Sequence, residues 1–172
     1  MREVVPRMRR LALLVNPTNA GARSFVANMT EAARIANIDV TIVEASRPED
    51  FPQAYASIRN ARADWLHVLD EPMISARRAE WVEFAASARL PLSSDAGETA
   101  RVGGLISYAP LLTEHYVLAA VYVDKILRGA KPADLPVEEP TRYELIINLK
   151  TAKALGLTIP RSVLLRADEV LQ

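Results

Sequence analysis

Leu11-Ala12-Leu13-Leu14-Val15 is an unbroken apolar run, closed by Asn16-Pro17-Thr18-Asn19. With no polar alternation, it reads as a strand buried on both faces that ends in a turn, and such strands belong to parallel sheets sandwiched between helices. The period then changes. Phe25, Met29, Ala32 and Ala36 fall at helical spacing, with Gly21 as the weak position near the start, so an amphipathic helix packs on the sheet.

The alternation continues downstream. Val40 to Val43 reads as a second strand, and Ser46-Arg47-Pro48-Glu49 offers the serine and glutamate of a capping box ahead of Phe51, Ala54, Tyr55 and Ile58. Trp65 to Leu69 predicts a third strand, stopped by Asp70-Glu71-Pro72, with a helix over Ser75 to Ala88. Leu90-Pro91-Leu92 and Leu105-Ile106-Ser107-Tyr108 are the fourth and fifth candidate strands. Strands alternating with helices imply right-handed crossovers, hence an α/β fold: a doubly wound parallel sheet with helices on both faces.

After Pro110 the rhythm breaks. A long helix runs from Thr113 to Arg128 with Tyr116, Ala119, Ala120, Val123, Ile126 and Leu127 at helical spacing. Pro132, Pro136 and Pro140 then make the following stretch extended. Leu145 to Ile147 reads as a further strand, Lys150 to Leu155 as a short helix stopped at Gly156, and Pro160 opens a last helix ending at Gln172. The expected organisation is therefore a lobe over residues 1–110, a crossing helix and proline-rich linker over 111–140, and a return to the same lobe over 141–172.

The chain has 172 residues, enough for one domain with a real core at 50% hydrophobic content. Lysine plus arginine equals aspartate plus glutamate at 21 each, so no net field favours nucleic acid or an anionic membrane. Without cysteine there is no disulfide framework, thiolate nucleophile or thiolate metal site. The basic start, Arg7-Met8-Arg9-Arg10, precedes an apolar run too short for a signal-peptide core, which predicts no export signal in these residues.

In an open parallel sheet, ligands gather where strand carboxyl ends, loops and helix amino termini converge. Those ends carry Asn16, Thr18 and Asn19, then Asp70 and Glu71, then Ser93, Ser94 and Asp95, and finally Tyr108. Asn and Thr suit a carboxylate, whereas Asp70, Glu71 or Asp95 can accept from an ammonium group, so the set suits a small zwitterion. Asn19, Asp70 and Ser75 read equally well as helix caps.

Enzyme signatures are missing. There is no G-x-G-x-x-G after the first strand, no G-x-x-x-x-G-K-[ST] and no G-x-S-x-G, and Gly103-Gly104 is a pair, not a phosphate loop. His67 alternates within an apolar strand and His115 opens a helix. Neither has a sequence neighbour that makes it a metal ligand or general base, so both read as structural, with no metal or cofactor implied. A phosphoacceptor role for Asp70 lacks the acidic pair that a receiver domain carries after its first strand. Arg7-Met8-Arg9-Arg10 and Arg77-Arg78 read as solvated edges.

Four segments together resemble one family. They are Leu13-Leu14-Val15-Asn16-Pro17, Gly103-Gly104-Leu105-Ile106-Ser107-Tyr108, Lys131-Pro132-Ala133-Asp134-Leu135-Pro136-Val137-Glu138 and Asn148-Leu149-Lys150-Thr151-Ala152-Lys153-Ala154-Leu155-Gly156-Leu157. In order and over nearly the whole chain, they are similar to the ABC-transporter substrate-binding proteins that include tryptophan-binding lipoproteins. The resemblance implies a type I periplasmic-binding-protein-like lobe, the carboxyl-terminal one of two that close on a solute, with an ABC transporter permease as partner. It carries Asn16, Thr18 and Asn19 over as carboxylate contacts and Asp70 as a further contact.

Because members of the family are about twice this length, the helix over residues 113–128 would pack on a missing amino-terminal lobe, and its apolar face is expected to bind that lobe or a second copy. The resemblance implies a periplasmic location; the chain would be cytoplasmic if Met1 is the true start. The alternative function is that of a cytosolic relic, intracellular sensor or interaction domain with no transport role.

Overall fold

In the computed structural model, which describes residues 1–138 and 141–172, seven strands form one sheet. In chain order they are β1 (Arg10–Val15), β2 (Asp39–Glu44), β3 (Trp65–Val68), β4 (Leu92–Ser94), β5 (Ile106–Pro110), β6 (Tyr143–Asn148) and β7 (Glu169–Leu171). Across the sheet the order is β2-β1-β3-β4-β5-β6-β7. The helices are α1 (Ala22–Ile35), α2 (Phe51–Asn60), α3 (Pro72–Ala76), α4 (Arg78–Ser87), α5 (Gly97–Arg101), α6 (Leu112–Leu127), α7 (Leu149–Leu155) and α8 (Arg161–Leu164).

The apolar run of β1 does what its composition requires. Leu11 to Val15 are all buried, and the strand lies between β2 and β3 in parallel register. One sheet face packs Leu14, Leu66 and Leu92 against Phe51, Ile58 and Trp81 from α2 and α4. The opposite face packs Leu11, Trp65, Ile106 and Ile147 with Ile159 and Val163 near α8, while α1 covers Leu13 and Val15. The sheet is thus doubly wound, as the alternation of patterns predicts.

Several local expectations are corrected. The sheet is not wholly parallel: β6 runs antiparallel to β5, because α6 carries the chain away and the return strand enters from the opposite end. The helix expected over Ser75 to Ala88 is two helices. Glu71 caps α3, with Pro72 at its first position, and Arg77 leaves helical geometry at φ −114° and ψ 21° before α4 begins.

At α2, the box expected from Ser46 and Glu49 is replaced by Asp50, whose Oδ2 accepts from the Ser46 and Arg47 amides at 2.9 and 3.1 Å. The fourth strand is shifted to Leu92–Ser94, placing Ser93 and Ser94 inside β4, and a short helix, α5, follows it. The last helix stops at Leu164. The Asp168 carboxylate and amide both bond the backbone of Leu145, which draws Glu169–Leu171 onto the sheet edge as β7.

Gly156 ends α7 at φ 71°, as its position predicts. Gly103-Gly104 serves the turn between α5 and β5: Gly103 has φ 122°, and a Cβ on Gly104 would lie 2.7 Å from the Thr99 carbonyl oxygen.

α6 has no buried residue. Tyr116 and Leu127 are 72% and 81% exposed, and the helix is held to the following segment by Tyr122, whose hydroxyl donates to the Pro136 carbonyl at 2.8 Å. That segment contains a helical turn at Pro132–Asp134, where an extended chain is expected. Its last two residues, Glu139 and Pro140, lie outside the described residues. Among the described residues no helix is long and apolar enough to cross a membrane.

Candidate functional site

The carboxyl ends of β1, β3 and β4 meet in a hydrogen-bonded rim. At the end of β1, buried Asn16 accepts at Oδ1 from the Thr18 amide (3.0 Å) and hydroxyl (2.8 Å), which folds the loop back on itself. Its Nδ2 donates to Glu71 Oε2 at 3.2 Å, tying this loop to the one after β3. The other oxygen of Glu71 caps α3 by accepting from the Ile74 amide at 2.8 Å. Asn16 and Glu71 therefore spend their polar atoms on each other and on the backbone. Asn19 does the same, accepting from the Gly21 amide at 2.8 Å.

The capping expectations resolve differently from their sequence reading. Asn19 bonds a loop amide and α1 begins at a Gly21 cap with no side-chain bond. Asp70 caps nothing; the cap is Glu71. Ser75 lies within α3 and donates its hydroxyl to Asp70 Oδ1, to which Arg78 Nη2 also donates at 3.0 Å. Arg78 is thus no solvated edge: it is half-buried and paired with Asp70, and its Nε is buried without a partner.

Asp95 stands at the centre of this rim. The Asp70 amide donates to its Oδ1 at 2.6 Å, yet burial raises its pKa above the ordinary carboxylate value, with the nearby Asp70 charge adding to that rise. A carboxylate that the fold holds partly desolvated is poised to gain from a cation. Asp95 and Asp70 line a cavity of about 390 Å³ beside α5 and the start of α6, with Arg101, Glu98, Glu144 and His115 on its wall. Arg101 bridges Glu144 (3.2 Å) and Glu169 (2.7 Å), which pins α5 to β6 and β7.

The eight expected residues do not all face one space. Asp70 and Asp95 line the cavity beside α5, while Ser94, Asp95 and Tyr108 line a second cavity of about 780 Å³ on the α1 side of the sheet. Asn16, Thr18, Asn19 and Glu71 line neither. Ser94 Oγ accepts from the Ala96 amide at 3.3 Å, and Tyr108 stacks on Tyr143 with ring centres 5.2 Å apart.

His67 was legible only as an apolar-strand residue. In the fold it is buried against the larger cavity, stacked with Phe25, with Nδ1 2.8 Å from Ser93 Oγ. Among the described residues no cluster of three or more His, Cys, Asp or Glu side chains could hold a metal ion.

Comparison with known proteins bears on this geometry. A family model described as ABC transporter substrate binding protein matches residues 1–171. Among solved structures, a conserved domain protein from Vibrio cholerae shares 26% identity at a TM-score of 0.92, covering 98% of this chain and 57% of that one. An ABC domain in complex with L-Trp from Streptococcus pneumonia shares 25% identity at a TM-score of 0.92, covering 99% and 57%. A ligand-free, open substrate binding protein with adhesive properties from Clostridium difficile, 17% identical at a TM-score of 0.70, shares the fold over 97% of this chain and 55% of its own. The chain thus spans little more than half the length of these structures. No curated protein matches it.

Proposed function

Because the chain belongs to the ABC transporter substrate-binding protein family, we propose that it is the solute-binding component of an importer and holds a small solute, an amino acid, at the Asp70–Asp95 rim, with no bond made or broken. The observation that carries this is the partly desolvated Asp95 carboxylate, fixed by the Asp70 amide on the wall of a cavity at the strand carboxyl ends. Asp95 and Asp70 take the ammonium group, while Asn16 and Thr18, bonded to each other, hold the loop after β1 in place. The L-Trp complex of a structure 25% identical supports an amino acid as the solute class.

Residues 1–110 and 141–172 form one lobe in this reading, and residues 111–140 reach across to another. α6 supports that division. Its exposed apolar face has no sheet to pack on within the described residues, and the solved relatives are longer than this chain. The face is completed by a second α/β lobe, which closes over the solute and presents it to a permease outside the cytoplasm. Without that lobe, roughly half the contacts are made and affinity falls to the millimolar range.

The test is a thermal melt of the chain with millimolar aromatic and branched amino acids, since a ligand of the native state raises the midpoint. A saturable rise for one class supports the reading. A cooperative melt that no amino acid shifts, alone or with the longer relative's other lobe added, would sink it.

A further inference from the structure

We propose that the larger cavity, on the α1 side of the sheet, is a second small-molecule site that takes a neutral aromatic compound whose carbonyl oxygen accepts a hydrogen bond from His67 Nε2. It shares Asp95 with the solute site above and is otherwise lined by different residues. Its origin lies in the topology: α1 covers the β1 side of this sheet face and α8 the β6 side, and neither covers the middle. Ile106, Tyr108, Tyr143 and Leu145 therefore line an apolar trough of about 780 Å³, within the range of ligand pockets.

Two features select the ligand. The first is a buried donor. Trp65 Nε1, which can only donate, gives its hydrogen to Ser93 Oγ at 2.7 Å, and the tautomer that also gives the Ser93 hydroxyl hydrogen an acceptor is the one in which it donates to His67 Nδ1, 2.8 Å away. The ring proton of His67 then sits on Nε2, which is buried and has no partner. Burial pushes the ring pKa down to about 4, so the imidazole is neutral at pH 7 and offers one N–H. Unpaired buried donors are costly, and a carbonyl oxygen removes that cost. Because Nε2 is fully buried and Phe25 stacks on the ring face at 5.6 Å, side chains of the wall must shift before the oxygen reaches it.

The second feature is the wall. Glu3, Asp95 and Asp168 face the cavity against Arg166, which is already paired with Glu3, and the amino terminus of Met1, whose charged form burial disfavours. That balance rejects an anion. The exposed, nearly parallel rings of Tyr108 and Tyr143 supply a flat surface at the mouth, which favours an aromatic body.

The probe is benzamide, titrated into the full chain while ring-nitrogen NMR follows the two histidines, with benzoate and toluene as controls. Benzamide should move the His67 Nε2 resonance and leave His115 unmoved. Benzoate should bind at least 10-fold more weakly. His67→Phe should weaken benzamide about 5- to 10-fold and leave toluene unchanged, as expected for one lost hydrogen bond. Should that variant fail to fold, Tyr108→Ala at the exposed mouth should weaken benzamide and toluene alike. An unmoved His67 resonance at saturation, equal affinity for benzoate, or full affinity in His67→Phe would overturn the proposal. Asp70 lines only the solute cavity and His67 only this one, so reading amino-acid binding at Asp70 and benzamide at His67 keeps the failure of either site distinguishable from that of the other.

Discussion

Replacing Asp95 by Asn should stabilise the protein and weaken solute binding at once. The carboxylate's pKa is raised by burial, so the folded chain holds the proton more tightly than the unfolded chain does. For an acid raised in this way, the stabilising contribution is complete below the ordinary carboxylate range and is lost as pH climbs through the raised value. At pH 7 the charge therefore costs stability. The amide keeps an oxygen for the Asp70 amide, now 2.6 Å away, and removes the charge.

A gain of about 1 kcal/mol corresponds to a rise of roughly 2–4 °C in Tm for a chain of this size. The gain should close near pH 3.5, in the ordinary carboxylate range, where the wild-type group is itself protonated. Affinity for an amino acid should drop about 10- to 100-fold, the worth of one charge-assisted hydrogen bond of about 1.5–3 kcal/mol. Thermal melts at the two pH values and calorimetric titration read both effects. A Tm that falls at pH 7, or a gain that persists unchanged at pH 3.5, would refute the assignment of Asp95 as a carboxylate strained by burial.

Other parts of the account make separate predictions. Glu71→Ala removes the α3 cap and leaves Asn16 Nδ2 buried without its partner, so it should cost ~2–3 kcal/mol, about 5–10 °C, with Glu71→Gln recovering most of the loss in the same melt. Gly104→Ala places a Cβ 2.7 Å from the Thr99 carbonyl, a backbone atom that cannot step aside; urea unfolding should show a loss of ~1–3 kcal/mol. The exposed apolar face of α6 should make the chain self-associate, and Tyr116→Lys with Leu127→Lys should return it to monomer in sedimentation velocity without lowering Tm.

What the sequence disclosed follows from what local pattern can encode. Leu11 to Val15 announced a doubly buried strand because no polar residue interrupts it, and the switch to helical spacing at Phe25 placed α1 correctly. β7 was hidden because Glu169–Leu171 is three residues whose strand character comes from pairing with β6, more than twenty positions earlier. α5 was hidden by its length of five residues.

Within the candidate site, Asp70 and Asp95 were legible as polar residues after strands, but the bond from the Asp70 amide to Asp95 joins two loops and has no sequence signature. Glu71 and Asn16 looked like ligand groups of the same kind, and only the fold reveals that they satisfy each other. His67 looked structural from its alternation. Its unpaired nitrogen depends on Ser93 and Trp65, which three separate stretches of chain had to bring together with Phe25.

The most direct test of the solute-binding claim is amide chemical-shift mapping of the full chain with each amino acid at about 10 mM, a concentration that reveals even millimolar binding. The account predicts saturable shifts for at least one amino acid, centred on Asp70, Asp95, Ala96 and the Asn16–Asn19 loop, and strongly weakened in Asp95→Asn. Shifts absent for every amino acid, or centred away from the carboxyl ends of β1, β3 and β4, would contradict it.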